Sequence, residues 1–435
     1  MKKQVVLFGS LFITVALLMG VASCKKKSDS VSFRLSALVA QLAGGNIDLN
    51  AATSANNVPS NPTIVATFSL AVNATSVISG NITLLRGWDQ KNIPLTVTPS
   101  GTTITIVPNE ELGNGALFTL TFPAITSTDG QSISGFVRTF STIGTFVPTG
   151  QIAYWNFEDN AKDQVGTFNA DCTINITYTA SYKAAAGKAA TFDGTTSIIE
   201  IPNGDQLTNT PEFTLCFWVK TNSVGHVDAA GNPKGHFVIG LGAFYGFQFE
   251  IQGSYAECKL GATYNCGAPV TSSHDLTFKG DGLYNIDTLT GWKACTFCKL
   301  LTPTPAEGMA ALIKDKWISV VFVFNGNDSS KVATMYFNGE KMKEEKFHLA
   351  PPYQADPPLN AANGLIWSGT APDVYPKLAF GFIKSRQGTL WNTQPWGNYN
   401  IPTSNHFGGQ LDDVRIFHRA LTAIEIDLMY ASEKP

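Results

Sequence analysis

The run of residues 407–426 constrains the fold of this chain more than any other stretch. Gly408 and Gly409 relieve backbone crowding where a strand begins. From Leu411 onward the residues alternate in two sets, which are Leu411, Asp413, Arg415 and Phe417, and Asp412, Val414 and Ile416. From Thr422, a favourable helix N-cap, the spacing becomes helical. The pattern therefore predicts a strand that is followed by one short helix.

Short runs rich in Phe, Thr and Val recur along the rest of the chain, and long amphipathic helical patterns are rare. Such runs predict an all-β protein. At 435 residues the chain is too long for one ordinary core and suits two domains, with 39 Gly and 22 Pro to form turns. Only 14% of the residues are charged and the formal net charge is -3, so we expect no nucleic-acid partner.

Residues 1–24 have the features of an export signal. Two lysines precede an apolar run at residues 5–20, which is too short for a comfortable membrane span. The run leads into Val-Ala-Ser-Cys at residues 21–24, which resembles the lipobox of bacterial lipoproteins. The resemblance implies cleavage before Cys24 and acylation of its thiol. Residues 25–45 are interpreted as a tether with a short helical stretch. The mature chain is then anchored to a membrane by lipid, and the alternative is a signal peptide with an incidental cysteine.

Residues 46–143 contain strand-like runs about every ten residues, which suits a small sandwich. The motifs in this part are Asn57-Val58-Pro59-Ser60-Asn61-Pro62, Thr63-Ile64-Val65-Ala66-Thr67-Phe68-Ser69, Ala116–Phe122 and Thr139-Phe140-Ser141-Thr142. Their order resembles that of bacterial Ig-like modules in surface-layer and adhesin proteins, which usually act as spacers. The segment holds no His or Cys, so nothing in it argues for chemistry.

Residues 150–431 carry the motifs of a second, larger β-domain. The main motifs are Tyr154-Trp155-Asn156-Phe157-Glu158-Asp159, Lys188-Ala189-Ala190-Thr191-Phe192-Asp193-Gly194, Phe213–Lys220 and Leu411–Phe417. Together they resemble the concanavalin A-like, laminin-G-like jelly rolls of bacterial surface proteins. Taken together, the two resemblances imply an all-β chain in which an Ig-like β-sandwich is followed by a jelly-roll sandwich. Two stretches, at about 222–312 and 347–406, depart from a minimal jelly roll and are interpreted as long insertions.

Six cysteines remain after Cys24, and four of them lie in the first insertion. These are Cys258, Cys266, Cys295 and Cys298. In an exported chain they can form disulfides, which is the interpretation that we favour. Their number also suits a four-thiolate zinc site, although the spacing of the first pair is wide for a zinc knuckle. Free or mixed thiols are the third interpretation.

The jelly-roll resemblance also implies a structural Ca²⁺ ion that ties the first strand of the domain to the last. Asp412 matches the acidic position of the last strand, and Glu158 and Asp163 lie in the early segment that approaches it. Carboxylate and carbonyl oxygens are the ligands that this hard cation prefers. The alternative is a pair of solvated acidic turns.

Motifs for catalysis are missing from the sequence. Laminarinase-type glycoside hydrolases share the jelly-roll architecture and use a Glu-x-Asp-x(-x)-Glu strand. The nearest match, at residues 425–430, lacks the second Glu and falls on the predicted terminal helix. The six histidines follow no metal or protease spacing, and no Gly-x-Ser-x-Gly motif is present. We therefore expect a protein that is not an enzyme.

Aromatic residues in Gly- and Pro-rich loops are the remaining signal for a ligand. The candidate ligand-binding residues are Trp391, Trp396, Trp367, Trp292, Arg386 and Tyr399. Exposed aromatic faces stack on sugar rings while polar side chains take the hydroxyl groups. The alternative is that these aromatic residues close the ends of the sandwich.

These patterns predict a lipid-anchored protein that faces the cell exterior from the outer membrane and binds a polysaccharide or other glycan. Its expected setting is a polysaccharide-uptake system that contains other outer-membrane proteins. An adhesin or structural surface protein that recognises protein is the first alternative. A glycoside hydrolase is the second.

Overall fold

The computed structural model describes residues 31–42, 44–51, 54–77, 80–282, 294–350 and 359–435. Over these residues the chain is almost entirely β-structure and forms two sandwiches in succession, so the predicted fold class is confirmed. The export signal, the lipobox and Cys24 lie outside the described residues and stay predictions. Among the helices in the described part, none is long and apolar enough to cross a membrane.

The first sandwich is formed by short strands. They are β1 (Leu35–Gln41), β2 (Ile47–Asp48), β3 (Ala55–Val58), β4 (Thr63–Phe68), β5 (Thr83–Arg86), β6 (Asn92–Ile93), β7 (Leu95–Ser100), β8 (Thr103–Pro108), β9 (Leu117–Phe122), β10 (Ile125–Thr126), β11 (Ser132–Ile133) and β12 (Phe136–Thr142). One sheet has the order β2-β1-β4-β8-β7 and the other the order β3-β12-β9-β5-β6, while β10 pairs with β11. Alternate residues point inward, as in β4, where Ile64, Ala66 and Phe68 are buried.

Strand β1 corrects the predicted tether with a helical stretch at residues 25–45. It pairs antiparallel with β2 and β4, and Leu38 and Ala40 are fully buried. A run as short as Leu-Ser-Ala-Leu-Val-Ala-Gln fits a helical or a strand period, and burial against the rest of the sheet decides for the strand. The first sandwich therefore begins before residue 46.

The second sandwich has longer strands and two α-helices. Its strands are β13 (Gln151–Trp155), β14 (Cys172–Ile174), β15 (Thr177–Ala180), β16 (Lys188–Asp193), β17 (Ile198–Ile201), β18 (Glu212–Thr221), β19 (His236–Leu241), β20 (Phe247–Ile251), β21 (Cys258–Asn265), β22 (Thr271–Phe278), β23 (Cys295–Cys298), β24 (Ile318–Asn325), β25 (Val332–Phe337), β26 (Glu340–Lys346), β27 (Gly364–Leu365), β28 (Leu378–Phe380) and β29 (Gly408–Phe417). The helices are α1 (Pro305–Ile313) and α2 (Ala423–Glu433). Short 3-10 turns lie at Ala74–Ser76, Ala184–Ala186, Gly204–Leu207, Ala243–Tyr245, Phe347–Leu349 and Leu359–Ala361.

Two large sheets of this sandwich enclose the main core. Sheet C has the order β15-β16-β29-β18-β24-β25-β26-β23, and β13 also pairs with β29. Sheet D has the order β14-β17-β28-β19-β20-β21-β22, and β27 also pairs with β21. Trp155, Phe217 and Phe249 are among the large side chains that are buried between the sheets.

Strand β29 lies in the interior of sheet C, between β16 and β18. Asp413 has a φ of 49°, and the register against β18 gains one residue on β29 at this point, so the strand carries a bulge. The Thr422 side chain accepts the Glu425 N–H, and the Glu425 carboxylate accepts the Thr422 N–H, which is a capping box at the start of α2. The predicted strand, cap and short helix are confirmed.

The first predicted insertion is mostly sheet rather than loop. In its described part, residues 222–312 contain β19 to β23, and four of these strands belong to sheet D. Strand β19 buries every residue, and β21 buries six of its eight residues, all except Lys259 and Asn265. Strands that are buried on both faces lack the polar and apolar alternation by which a strand is found in sequence. In the described part of residues 347–406 the chain is mostly irregular, and its only strands there are the short β27 and β28.

The segment between the sandwiches is packed rather than exposed. The Phe146 N–H donates to Ser432 Oγ at 2.9 Å, and the Phe146 ring lies 6.1 Å from the Trp88 ring. One buried apolar cluster runs from the first core through Phe146 to Phe417 and Met429 beneath α2. The two sandwiches therefore share buried contacts at their junction.

Candidate functional site

A cleft of about 600 Å³ lies beside strands β19, β20 and β21 of sheet D. Sites for small ligands usually measure roughly 300–1,000 Å³. Phe237, Ile251 and Cys258 contribute buried apolar surface to the cleft. Its polar lining includes Asp228, Glu250, Gln252, Glu257, Lys259 and Asn405. We call it the Trp396 cleft, after the aromatic residue at its edge.

Trp396 is the one large aromatic residue of the cleft that is well exposed, at 39%. Its ring lies 6.3 Å from the Phe237 ring, nearly perpendicular to it, and 5.1 Å from the Trp391 ring. The Asn405 N–H donates to the Trp396 carbonyl at 3.0 Å, and the Asn405 carbonyl accepts the Phe237 N–H at 2.9 Å. The loop that carries Trp396 is thus fixed to β19, and part of the indole remains open to a ligand.

A row of charges runs across strands β20, β21 and β22 beside the cleft. Lys259 Nζ lies 3.1 Å from Glu250 Oε1 and 2.9 Å from Asp275 Oδ2. Burial raises the pKa of Glu250, and the Lys259 charge opposes that rise. Glu257 forms a more open pair with Lys279, at 3.4 Å. Each of these lysines is therefore already engaged by a carboxylate.

Two further charged residues of the cleft are held by loops. Lys234 is 6% exposed and donates through Nζ to the carbonyls of Gly194 and Pro402, at 2.6 and 3.0 Å. Burial lowers the pKa of Lys234 to about 8. Asp228 accepts the Asn232 N–H at 2.9 Å, and backbone hydrogen bonds of this kind hold the pKa of Asp228 below its usual range. Asp228 therefore carries its negative charge at neutral pH.

The predicted tryptophans that the structure describes lie in different surroundings. Trp391 is half-buried, and its ring lies 5.9 Å from that of Phe244. Trp367 is half-buried against the main core of the second sandwich. Trp292 lies outside the described residues. Within the described part, Trp396 is the predicted tryptophan that lines the cleft.

Arg386 and Tyr399 make internal contacts and do not line the Trp396 cleft, so their predicted role in ligand binding stays a prediction. Arg386 donates through Nη2 and Nε to Glu200 Oε2 at 3.0 and 3.2 Å, and its N–H donates to Oε1 at 2.8 Å. Glu200 is 1% exposed, so this ion pair closes the loop over strand β17. The Tyr399 hydroxyl donates to the Thr196 carbonyl at 2.5 Å. Both residues stabilise the irregular segment that also carries Trp396.

Several polar residues of the cleft belong to no sequence motif. A usable signal exists for Glu250, because Phe247, Phe249 and Ile251 alternate with polar residues along β20 and are buried. The antiparallel pairing of β20 with β21 then sets Glu250 opposite Lys259. That contact depends on the register between two strands, which a search for motifs does not supply.

The structure corrects the predicted disulfides. Cys258 begins β21 and Cys266 follows its last residue, while Cys295 and Cys298 begin and end β23. An extended strand rises about 3.3 Å per residue, so each of these two pairs exceeds the Cα separation of about 7 Å that a disulfide spans. Cys258, Cys266 and Cys298 are free thiols, and the Cys295 thiol donates to the carbonyl of Phe297. Cys258, Cys295 and Cys298 act as small apolar residues of the main core.

The three predicted calcium ligands do not come together as one group. The Asp163 carboxylate accepts the backbone N–H groups of Tyr154, Val165 and Phe168, at 2.9, 3.0 and 3.0 Å. Its oxygens are therefore already used in hydrogen bonds to the backbone. Burial, and to a smaller extent the negative charges of Asp413 and Glu158, raises the pKa of Asp412 to about 9. In the described residues no group of three or more His, Cys, Asp or Glu side chains is arranged to hold a metal.

The strands from β2 to β12 coincide with a known domain family. Residues 47–142 match the family model described as "Bacterial Ig-like domain". This part of the chain is a bacterial Ig-like domain. The prediction of such a domain before the larger sandwich is confirmed. No curated protein sequence matches the chain at a significant level.

Solved structures similar to the chain include three toxin binding domains. The binding domain of Paraclostridial Mosquitocidal Protein 1 has a TM-score of 0.40 at 14% identity, over 65% of this chain and 52% of its own. The binding domain of botulinum neurotoxin serotype D/C VPI 5993 has a TM-score of 0.38 at 14% identity, over 65% of this chain and 52% of its own. The receptor binding domain of botulinum neurotoxin type G has a TM-score of 0.36 at 14% identity, over 65% of this chain and 51% of its own. The chain spans about half the length of these domains, and what they bind is a property of those proteins.

Proposed function

We propose that this chain is a non-catalytic, lipid-anchored protein of the cell surface that captures carbohydrate in the Trp396 cleft. The observation that carries the proposal is the exposed Trp396 ring at a cleft of about 600 Å³ with carboxylate and amide walls. An aromatic face stacks on the apolar face of a sugar ring, and carboxylates and amides take up its hydroxyl groups. The cleft offers both kinds of contact in one place.

The binding of the full chain to a panel of immobilised polysaccharides tests this proposal. We expect retention on at least one polysaccharide and an affinity at least about tenfold lower in Trp396→Ala, because truncation of a central aromatic anchor removes most of its contact area. Trp317→Ala is the matched control. Trp317 is half-buried against Tyr182, outside the cleft, and its loss should leave binding unchanged in folded protein.

Other outcomes of this experiment contradict the proposal. Capture of a protein without retention on any glycan would support an adhesin instead. Release of sugars from a polysaccharide by the purified chain would show a hydrolase. Equal glycan binding by the native chain and Trp396→Ala would move the site away from the cleft.

The proposal includes a place in a polysaccharide-uptake system of the outer membrane. Acylation of Cys24 anchors the chain there, and the Ig-like domain at residues 47–142 holds the cleft away from the lipid. Other outer-membrane proteins receive the captured glycan. Cleavage by protease added to intact cells supports exposure on the outside, whereas an uncut chain in intact cells together with cutting after lysis places it inside. Loss of acyl labelling in Cys24→Ala tests the anchor.

We also propose a structural calcium ion, with Glu158 and Asp412 as its carboxylate ligands. Asp412 is 1% exposed and accepts hydrogen bonds from the Ser181 hydroxyl and the Asp413 N–H. Burial and the neighbouring carboxylates disfavour its charged form, which is why its pKa is raised to about 9. A hard cation between Asp412 and Glu158 would offset that repulsion with oxygen ligands. Asp163 is left out because the backbone already occupies its carboxylate.

A further inference from the structure

We propose that the Trp396 cleft selects uncharged sugar units and rejects anionic ones, such as uronic acids and sulfated sugars. This inference rests on the carbohydrate-binding function proposed for the cleft. The observation that carries it is the distribution of charge around the cleft. Carboxylates of four residues stand in or next to it, and these are Asp228, Glu250, Glu257 and Asp275.

The lysines around the cleft are already paired with carboxylates or backbone carbonyls of the chain itself. Lys259 lies within 3.1 Å of both Glu250 and Asp275, and Lys279 pairs with Glu257. Lys234 donates to the backbone carbonyls of Gly194 and Pro402. Among the described residues that line the cleft there is no arginine. Proteins bind carboxylates and sulfates with arginine or lysine N–H groups that are free to reach them, whereas a uronate here would have to compete with Glu250, Asp275 and Glu257 for the lysines.

The same carboxylates are well suited to hydroxyl groups. An ionised carboxylate has about four lone-pair sites, and a single lysine contact uses one of them. Glu250 and Glu257 each face one lysine, and the Asp228 Oδ2 atom accepts one side-chain N–H, from Asn232 at 3.3 Å. Sugar hydroxyls can donate to the sites that remain, in charge-assisted hydrogen bonds. The cleft is therefore rich in acceptors for a neutral sugar and repulsive to a second anion.

Polymers that differ only in charge test this inference with the full chain. Each neutral polysaccharide that binds is compared with its carboxymethylated derivative, at low and at high salt. We expect the derivative to bind at least about tenfold more weakly at low salt, because one added negative charge near a carboxylate costs about this much or more. The gap should narrow at high salt, since ions screen exposed charges.

The possible results separate the inference from the function on which it rests. Equal or tighter binding of the carboxymethylated polymer, with both polymers lost in Trp396→Ala, overturns the charge selectivity and leaves carbohydrate binding in place. Failure of every neutral polymer to bind, with retention of a uronic acid polymer alone, also overturns the selectivity. Failure of all polymers, neutral and anionic, overturns the proposed function itself.

A pair of substitutions locates the source of the selectivity. Glu257→Gln removes one carboxylate from the cleft and leaves Lys279 without its partner, so affinity for the carboxymethylated polymer should rise by at least about fivefold. Glu340→Gln is the matched control, because Glu340 also pairs with a lysine, Lys299, but on strand β26 of sheet C. The same rise in both variants would show a general effect of net charge and would overturn the role of the cleft carboxylates.

Discussion

Arg415 Nη1 donates to Glu433 Oε1 at 2.5 Å, across the buried junction between strand β29 and helix α2. The two side chains are 5% and 3% exposed. Trp218 Nε1 donates to the other oxygen of Glu433 at 3.0 Å, and Arg415 Nη2 lies 3.2 Å from Asp413 Oδ1. One buried guanidinium thus joins two carboxylates, and it fixes α2 to the centre of sheet C.

Glu433→Ala should destabilise the second sandwich strongly. The substitution takes one of two carboxylates from the buried Arg415 and leaves Trp218 Nε1 without its acceptor, and breaking a buried ion pair costs about 3–5 kcal/mol. We expect the free energy of unfolding, measured with urea, to fall by about that amount. Glu340→Ala, in an exposed pair with Lys299, should change it by less than about 1 kcal/mol. Equal losses in the two variants would contradict a special role for the buried pair.

Stability should decrease as the pH falls below about 6.5, because His226 and His406 are buried in their neutral form. Burial lowers the pKa of each to about 4 in the folded chain, whereas an unfolded histidine titrates near 6.5. The unfolded chain therefore binds protons first, so this contribution is complete above about pH 6.5 and is lost as the pH falls towards 4.

We expect each of these histidines to lower the free energy of unfolding by on the order of 1–2 kcal/mol between pH 7 and pH 5. Urea unfolding at the two pH values measures the difference. His226→Gln should reduce it, and His348→Gln, at an exposed position, should not. A difference that is the same in all three proteins would rule out His226 as a source.

Phe146→Ala should uncouple the two sandwiches. Phe146 is 4% exposed and connects the first core to the cluster under α2, so its truncation should cost about 3 kcal/mol at the junction. Calorimetry of the full chain should then resolve two transitions where the native chain shows one. Ser432→Ala removes the hydroxyl that accepts the Phe146 N–H and donates to the Met429 carbonyl, without opening a large cavity, and should cost about 1 kcal/mol. Two separate transitions already in the native chain would contradict the coupling.

Chelation of calcium should lower the melting temperature of the full chain. An ion at 100 times its dissociation constant adds about 2.7 kcal/mol to the stability of the folded state that binds it. Asp412→Asn should abolish the response to chelator, and Asp163→Asn should preserve it, because Asp163 is engaged by the backbone. Identical melting curves with excess calcium and with chelator would remove the ion from the account of this fold.

The sequence predicts where β29 lies and how it ends, but not which residues share its faces. Strict alternation puts Leu411 on the side of Arg415 and Phe417. The bulge at Asp413 instead brings Leu411 to the core face with Val414 and leaves Phe417 beneath α2. A left-handed aspartate within a strand has no mark in the residue types around it, and one extra residue reverses every assignment before it.

The candidate site is predictable in one part only. Trp396 can be found because it is a large aromatic residue among Pro, Gly and Asn, in a segment with no other structural pattern. The ion pair of Arg386 cannot be predicted in this way, because its partner Glu200 lies 186 residues away in the chain. The pairing of Glu250 with Lys259 likewise follows from the register of two strands, which tertiary packing sets.

The interior position of β29 also orders the events of synthesis. Leu411 pairs with Ala190 in β16, and Phe417 pairs with Thr214 in β18, so the two neighbours leave the ribosome long before the strand that joins them. Until residue 417 has emerged, β16 and β18 present unpaired edges to each other across a gap. Contacts between such distant parts of a chain form late and slowly. The Ig-like domain can therefore complete its pairing while the larger sandwich still awaits its central strand.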